Sequence, residues 1–158
     1  MLAPVSITGI GKCVPEKVVT NDELTKFVET SDEWISKRTG IRARHVAVEE
    51  TAIGLAISAA KDALAMSGES PERVGVIVAC TITAEELTPS LAGRVQHALN
   101  IPSCAAMDVS AGCTGFVYAL VTAASLMDTL QKDVAIVVAS EVMTKYSDWT
   151  DRSTCVRY

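Results

Sequence analysis

The chain has 158 residues, 49% of them hydrophobic, and a formal net charge of -5. That apolar content supports one folded domain over residues 1–158 and excludes a disordered chain, while the negative charge argues against general nucleic-acid binding. The five cysteines (Cys13, Cys80, Cys104, Cys113 and Cys155) form no CxxC pair and no metal-type cluster with His45 and His97. Neither a metal site nor a disulfide framework is therefore expected, and no targeting segment is visible, so the expected setting is the reducing cytoplasm.

In chain order, Val5 to Ile10 is the first candidate strand. Thr20 to Arg44 is polar and charged, and its pattern predicts short helices and loops. It sets Lys37, Arg38, Arg42 and Arg44 close behind Trp34, and offers Asp22, Glu23, Asp32 and Glu33 as local helix caps. Thr51 to Ser67 predicts a helix with Ile53, Ile57, Ala60 and Leu64 on one face and Gly68 as its C-terminal cap. Val74 to Ala79 is a continuous apolar run, as strands covered on both faces require. Glu85 and Glu86 read as a loop charge pair. Pro89 to Leu99 predicts a helix with Pro89 in its first turn and His97 on its outer side. His45 and His97 both read as solvated or structural.

Cys104 to Val109 predicts a weaker strand, Thr114 to Leu130 a helix apolar nearly all round, and Val134 to Ala139 a last strand. The uncharged stretch from Val109 to Met127 has the length of a membrane span. However, it holds Ser110, Gly112, Thr114, Gly115, Thr122 and Ser125, and it lies between Asp108 and Asp128 without a basic flank. A strand end, a turn and a buried helix account for it without a membrane. The alternation of helices and strands predicts an α/β fold with a largely parallel sheet.

The segment Met107-Asp-Val-Ser-Ala-Gly-Cys-Thr-Gly-Phe116 carries the chemistry. A strand runs into a turn of small residues and a helix begins at once, which sets Cys113 at or beside a helix N-terminus. The unpaired N–H groups and the dipole there favour an anion, hence a thiolate nucleophile. Gly112 and Gly115 allow a sharp turn, and the Cys113 N–H is a candidate oxyanion donor. The other four cysteines read as small buried hydrophobes.

Asp108-Val-Ser-Ala-Gly-Cys-Thr-Gly-Phe116 resembles the nucleophile motif of the β-ketoacyl-[acyl-carrier-protein] synthase III family. Three further stretches resemble it in the same order: Ile7 to Pro15 followed by Thr20-Asn21, Thr30 to Arg42 with Trp34 and Arg38, and Asp148 to Thr154 with Arg152. The resemblance covers the whole chain and implies the N-terminal half of a thiolase-like, five-layer αβαβα architecture. It implies acyl transfer from a short acyl-CoA to Cys113, then decarboxylative Claisen condensation with malonyl-acyl-carrier protein to start a fatty-acid chain.

In that family, residues matching Trp34 and Arg152 clamp the coenzyme A adenine, and those matching Thr30 and Arg38 help to bind the nucleotide end. Without the resemblance, the same residues read as a solvated basic face with a surface tryptophan. The resemblance further implies a cytoplasmic homodimer, no membrane or nucleic-acid partner, no metal, and no cofactor beyond acyl-CoA as substrate. It places a histidine and an asparagine for enolate stabilisation in a C-terminal half, and a Gly-Asp-Gly loop where Cys155-Val-Arg-Tyr158 stands. The 158-residue chain is accordingly expected to be incompletely active alone. Two other readings stay open: another Cys-dependent thiolase-fold condensing enzyme of secondary metabolism, and a non-catalytic fragment.

Overall fold

The computed structural model describes residues 4–156. The departing end at Arg157 and Tyr158 lies outside the described residues. The chain divides into two compact units, one of Met1–Cys13 with Thr51–Glu141, the other of Val14–Glu50 with Val142–Tyr158.

The first unit is a three-layer α/β arrangement. Strand β3 (Val74–Cys80) lies between β4 (Ala105–Val109) and β5 (Val134–Ala139), and both pairings are parallel. Every residue of β3 is buried. Ile77 and Ala79 face helices α3 (Ala52–Ser67) and α4 (Leu91–Ala98), whereas Val76, Val78 and Cys80 face α5 (Gly115–Leu130). A register shift between Val74 and Val76 turns Val74 to the α3–α4 side, against the simple alternation. A strand covered on both faces needs apolar residues at odd and even positions alike, which is the pattern its sequence carries. Truncating fully buried Ile77 to alanine should cost about 2–5 kcal/mol.

Several boundaries differ from expectation. The stretch from Val5 to Ile10 pairs in no ladder. It packs against α3, where an added Cβ at Gly9 would lie 2.1 Å from the Ala63 carbonyl oxygen, and one at Gly11 2.1 Å from that of Ala59. Only glycine permits so close an approach to a helix backbone. The fully buried face of α3 is formed by Ala52, Leu55, Ala56 and Ala60, with Ile53, Ile57 and Leu64 on its partly buried flank. Small residues let the helix lie close to the sheet, while the larger ones fill the edges. Pro89 precedes α4 rather than entering it, because Ser90 is the N-cap and its hydroxyl accepts from Gly93 N at 3.1 Å.

Helix α5 buries a single stripe of small residues, Gly115, Ala119 and Ala123, against β3. Val117, Tyr118 and Val121 are more than half exposed, so the expectation of burial on all sides does not hold in this chain. Gly112–Leu130 is long and apolar enough to cross a membrane. Here it precedes β5 and follows β4 as the crossover between two parallel strands of one sheet.

The second unit contains an antiparallel pair that the polar sequence concealed, β1 (Val18–Thr20) with β2 (Ala43–His45). Between them run α1 (Asn21–Leu24) and α2 (Asp32–Thr39), and α6 (Arg152–Cys155) follows near the end. Leu24 and Ile35 are fully buried in its core, with Val19, Val28, Val46 and Val156. Thr20 and Glu23 form a reciprocal capping box at α1.

Candidate functional site

Cys113 occupies a single turn of 3-10 helix, Gly112–Thr114, immediately before the 16 residues of α5. The turn begins at Gly112 with φ +53° and nothing within 4 Å of where a Cβ would stand. The Thr114 hydroxyl donates to Ala111 O at 2.9 Å, and Gly115 N donates to Gly112 O. These bonds close the turn and leave the Cys113 side chain exposed. At its exit, a Cβ on Gly115 would lie 3.2 Å from Cys80 Cβ and 3.3 Å from Cys80 Sγ, so the start of α5 rests directly on the end of β3.

The surrounding thiols differ in kind. Burial, and then the nearby Glu141 carboxylate, push the Cys80 thiol up, while burial alone raises that of Cys104. Both therefore stay protonated at neutral pH, and Cys80 is in addition buried. Glu141 itself is held at the end of β5 by Ile82 N at 2.9 Å and by the hydroxyls of Thr81 and Thr83.

Two carboxylates that sequence reasoning left without a role as anchors are fixed nearby in the same unit. Asp108, on β4, accepts from Leu91 N at 2.7 Å and Ala92 N at 2.8 Å, the first two amides of α4. Glu85 accepts from Ala52 N at 2.6 Å at the start of α3, while Glu86 pairs with Arg94. The loop charges thus each have a different partner rather than forming one exposed pair. Ser90 ahead of a helical pattern is the start signal that the Pro89 reading passed over; nothing in the sequence indicates that Asp108 reaches this terminus.

Trp34, Arg38 and Arg152 come together in the second unit, and Thr30 directly precedes Ser31, the N-cap of α2. Trp34 is partly buried on α2, against the core around Leu24 and Ile35. The Arg38 guanidinium carbon lies 4.8 Å from its ring centroid and that of Arg152 4.7 Å, both within cation–π range. Arg38 is one helical turn from Trp34, so helix geometry alone brings the two together. Arg152 arrives from α6, and its Nη1 donates to Glu29 O at 3.3 Å. The adjacent Thr30 hydroxyl oxygen is shielded from solvent with no hydrogen-bond partner among the described residues.

This patch is supported by polar groups that its residue types did not reveal. Asn21, 1% exposed, donates to Asp32 Oδ1 at 2.8 Å and to Ile41 O at 2.7 Å, and accepts from Arg44 Nη2 at 2.7 Å. The bond from Asn21, followed by that from Ser36 and the charge of Arg42, holds the Asp32 carboxyl below its ordinary range. Asp32 is the first residue of α2, so the network fixes the helix that carries Trp34 and Arg38. Asp151 caps α6 by accepting from Ser153 N at 2.7 Å. His45 and His97 are exposed, with His45 Nδ1 2.6 Å from Pro15 O. Among the described residues, no group of three or more His, Cys, Asp or Glu side chains has metal-binding geometry.

Residues 107–158 match the family model for 3-oxoacyl-[acyl-carrier-protein] synthase III, a span that contains Cys113 and Arg152. The curated β-ketoacyl-[acyl-carrier-protein] synthase III of Thioalkalivibrio sulfidiphilus is 49% identical over 153 residues, covering 96% of this chain and 48% of that protein. Among solved structures, the 3-oxoacyl-[acyl-carrier-protein] synthase III of Aquifex aeolicus has 43% identity and a TM-score of 0.90, with 95% of this chain and 49% of that one covered. The priming β-ketosynthase of the R1128 polyketide biosynthetic pathway also reaches a TM-score of 0.90, at 34% identity, with 95% of this chain and 45% of that one covered. The chain spans about half the length of the curated relatives it matches, and its α/β fold is that of the corresponding part of these thiolase-like structures.

Proposed function

Because this chain is related along nearly its whole length to the N-terminal half of β-ketoacyl-[acyl-carrier-protein] synthase III, we propose that it carries the acyl-accepting thiol and the coenzyme A clamp of such an enzyme. The observation that carries this reading is Cys113, exposed in a left-handed glycine turn directly before a 16-residue helix. The sulfur stands at the N-terminal end of α5, where the Cys113 N–H is a candidate oxyanion donor. In the first step, the Cys113 sulfur attacks the thioester carbon of a short acyl-CoA. The carbon–sulfur bond to coenzyme A breaks, and the released thiolate takes up the proton that Cys113 gave up.

Thr30, Trp34, Arg38 and Arg152 bind the nucleotide end of that acyl-CoA, with the ring of Trp34 and the Arg152 guanidinium on the adenine. Malonyl-acyl-carrier protein then loses carbon dioxide, and the resulting enolate carbon attacks the acyl thioester. The Cys113 thiolate leaves, and a 3-oxoacyl-acyl-carrier protein is formed. The enolate needs donors beyond those of Cys113, the histidine and asparagine that the resemblance places in the C-terminal half. The reading includes a homodimer working in the cytoplasm on acyl-CoA and malonyl-acyl-carrier protein, with no cofactor.

Intact mass after incubation with acetyl-CoA tests the first step. One acetyl group, mapped to the Cys113 peptide and lost in Cys113→Ser, is the expected result; acylation elsewhere, or none, overturns it. The likeness to the R1128 priming ketosynthase favours a second reading, a condensing enzyme that primes a secondary-metabolite chain. The acyl-CoA preference of the complete protein separates the two.

A further inference from the structure

We propose that Asp108 is a positioning residue for Cys113, locking the strand end from which the nucleophile's turn departs onto the first turn of α4. The inference rests on Cys113 as acyl acceptor. Asp108 is the penultimate residue of β4, and four residues separate it from Cys113. Its two carboxylate oxygens are divided between successive amides, Oδ2 taking Leu91 N at 2.7 Å and Oδ1 Ala92 N at 2.8 Å. The Ser90 hydroxyl takes the next amide, that of Gly93, at 3.1 Å.

Three free amides of a helix N-terminus are thus satisfied, two of them by a residue from another element. The carboxylate charge lies on the positive end of the α4 dipole, so an anion can stand close to the nucleophile's turn with its charge partly compensated. On its backbone side, Asp108 is held in the ladder opposite Ala79, with Val109 opposite Cys80. The far end of the turn is fixed by Gly115 on Cys80. The nucleophile's turn is therefore clamped at both ends, by a carboxylate at its entry and by packing at its exit. A tertiary bond at the entry matters because acyl transfer depends steeply on where the sulfur stands.

The test compares Asp108→Asn with Ser90→Ala in the 158-residue chain. The asparagine amide must turn its NH2 toward one of the two N–H donors and lose that bond, while Ser90→Ala weakens the same helix terminus without touching β4. Amide exchange followed by mass spectrometry should accelerate about tenfold or more across residues 109–115 in Asp108→Asn, the scale of one charge-assisted hydrogen bond. In Ser90→Ala it should stay at the wild-type rate there. This measurement contains no acyl-CoA, so its outcome is separate from that of the acyl-transfer reading.

Acetylation of Cys113 by acetyl-CoA should in addition fall about tenfold or more in Asp108→Asn, while its alkylation by iodoacetamide, which needs no docking geometry, keeps its rate. Unchanged exchange across 109–115 in Asp108→Asn, equal acceleration in Ser90→Ala, or a parallel loss of acetylation and alkylation would each overturn the assignment.

Discussion

Gly112→Ala isolates the conformational demand of the nucleophile's turn. No atom lies within 4 Å of the added Cβ, so the change creates no clash. What it meets is φ +53°, a left-handed conformation that costs an ordinary L-residue about 1–2 kcal/mol. Alanine also stiffens the unfolded chain, which returns about 0.4–1 kcal/mol. If the turn keeps its shape, the net loss is about 1 kcal/mol, a fall of about 2–4 °C in Tm for a chain of this size. If the turn relaxes instead, stability is spared but the sulfur moves, and acetylation of Cys113 drops by up to about a hundredfold. Asparagine tolerates the left-handed region better, so Gly112→Asn should lie between glycine and alanine in both measurements. Urea unfolding and the rate of acetyl transfer, measured on the same three proteins, read the two costs separately. An alanine variant equal to wild type in both, or one milder than asparagine, would refute the reasoning.

Limiting iodoacetamide followed by peptide mapping should label Cys113 ahead of the other four cysteines, because burial raises the thiols of Cys80 and Cys104 while Cys113 is exposed; preferential labelling of Cys80 or Cys155 would count against this. In the complete enzyme, Arg152→Ala should raise KM for acyl-CoA and leave kcat nearly unchanged, and an unaltered KM would remove Arg152 from the clamp. Glu50 accepts from Val48 N at 2.9 Å and Glu16 N at 3.1 Å, and these backbone donors, that of Val48 foremost, lower its carboxyl from 4.5 to about 2. Its contribution is therefore complete above the unfolded value, shrinks as pH falls through that window, and is gone below the folded value. The Tm gap between wild type and Glu50→Gln should thus be wide at neutral pH and close in acid, and a gap that widens in acid would contradict the sign.

The α/β fold was legible where one residue pattern had one structural meaning. The β3 run, apolar at every position, fits a strand covered on both faces, and the apolar run of β5 reads the same way, whereas β4, which carries Asp108 and buries none of its residues fully, gave a weaker pattern. The pattern was weaker where a side chain's surroundings come from elsewhere in the chain. Val5 to Ile10 has strand-like composition, but a strand needs a partner, and here Gly9, with Gly11 just beyond it, meets the backbone of α3. For β1 and β2 the reverse holds: three-residue strands in a charged segment leave no periodicity to read, yet they pair. Composition made α5 a core helix, but burial is a property of what packs on it, and in this chain its Gly115, Ala119 and Ala123 stripe is buried, Leu126 and Met127 are partly covered, and Val117, Tyr118 and Val121 are exposed.

The candidate site divides in the same way. Cys113 was visible because its setting is local: a strand, a small-residue turn and a helix within ten residues. Arg38 beside Trp34 is local too, one helical turn apart. Arg152 is not, since 117 residues lie between it and Trp34 in sequence, and only the family resemblance linked them before the structure placed the guanidinium 4.7 Å from the ring. The anchoring groups were the hardest to see. Asp108, Glu85 and Asn21 act on backbone amides or on polar atoms of other elements, and an aspartate that caps a distant helix has the same sequence signature as one facing water. Their common feature is physical: each satisfies donors or acceptors that a helix terminus or a buried arginine would otherwise leave unmatched. A site built on short turns needs such anchors because the turns have too few bonds of their own to hold a reactive sulfur or a ring in place.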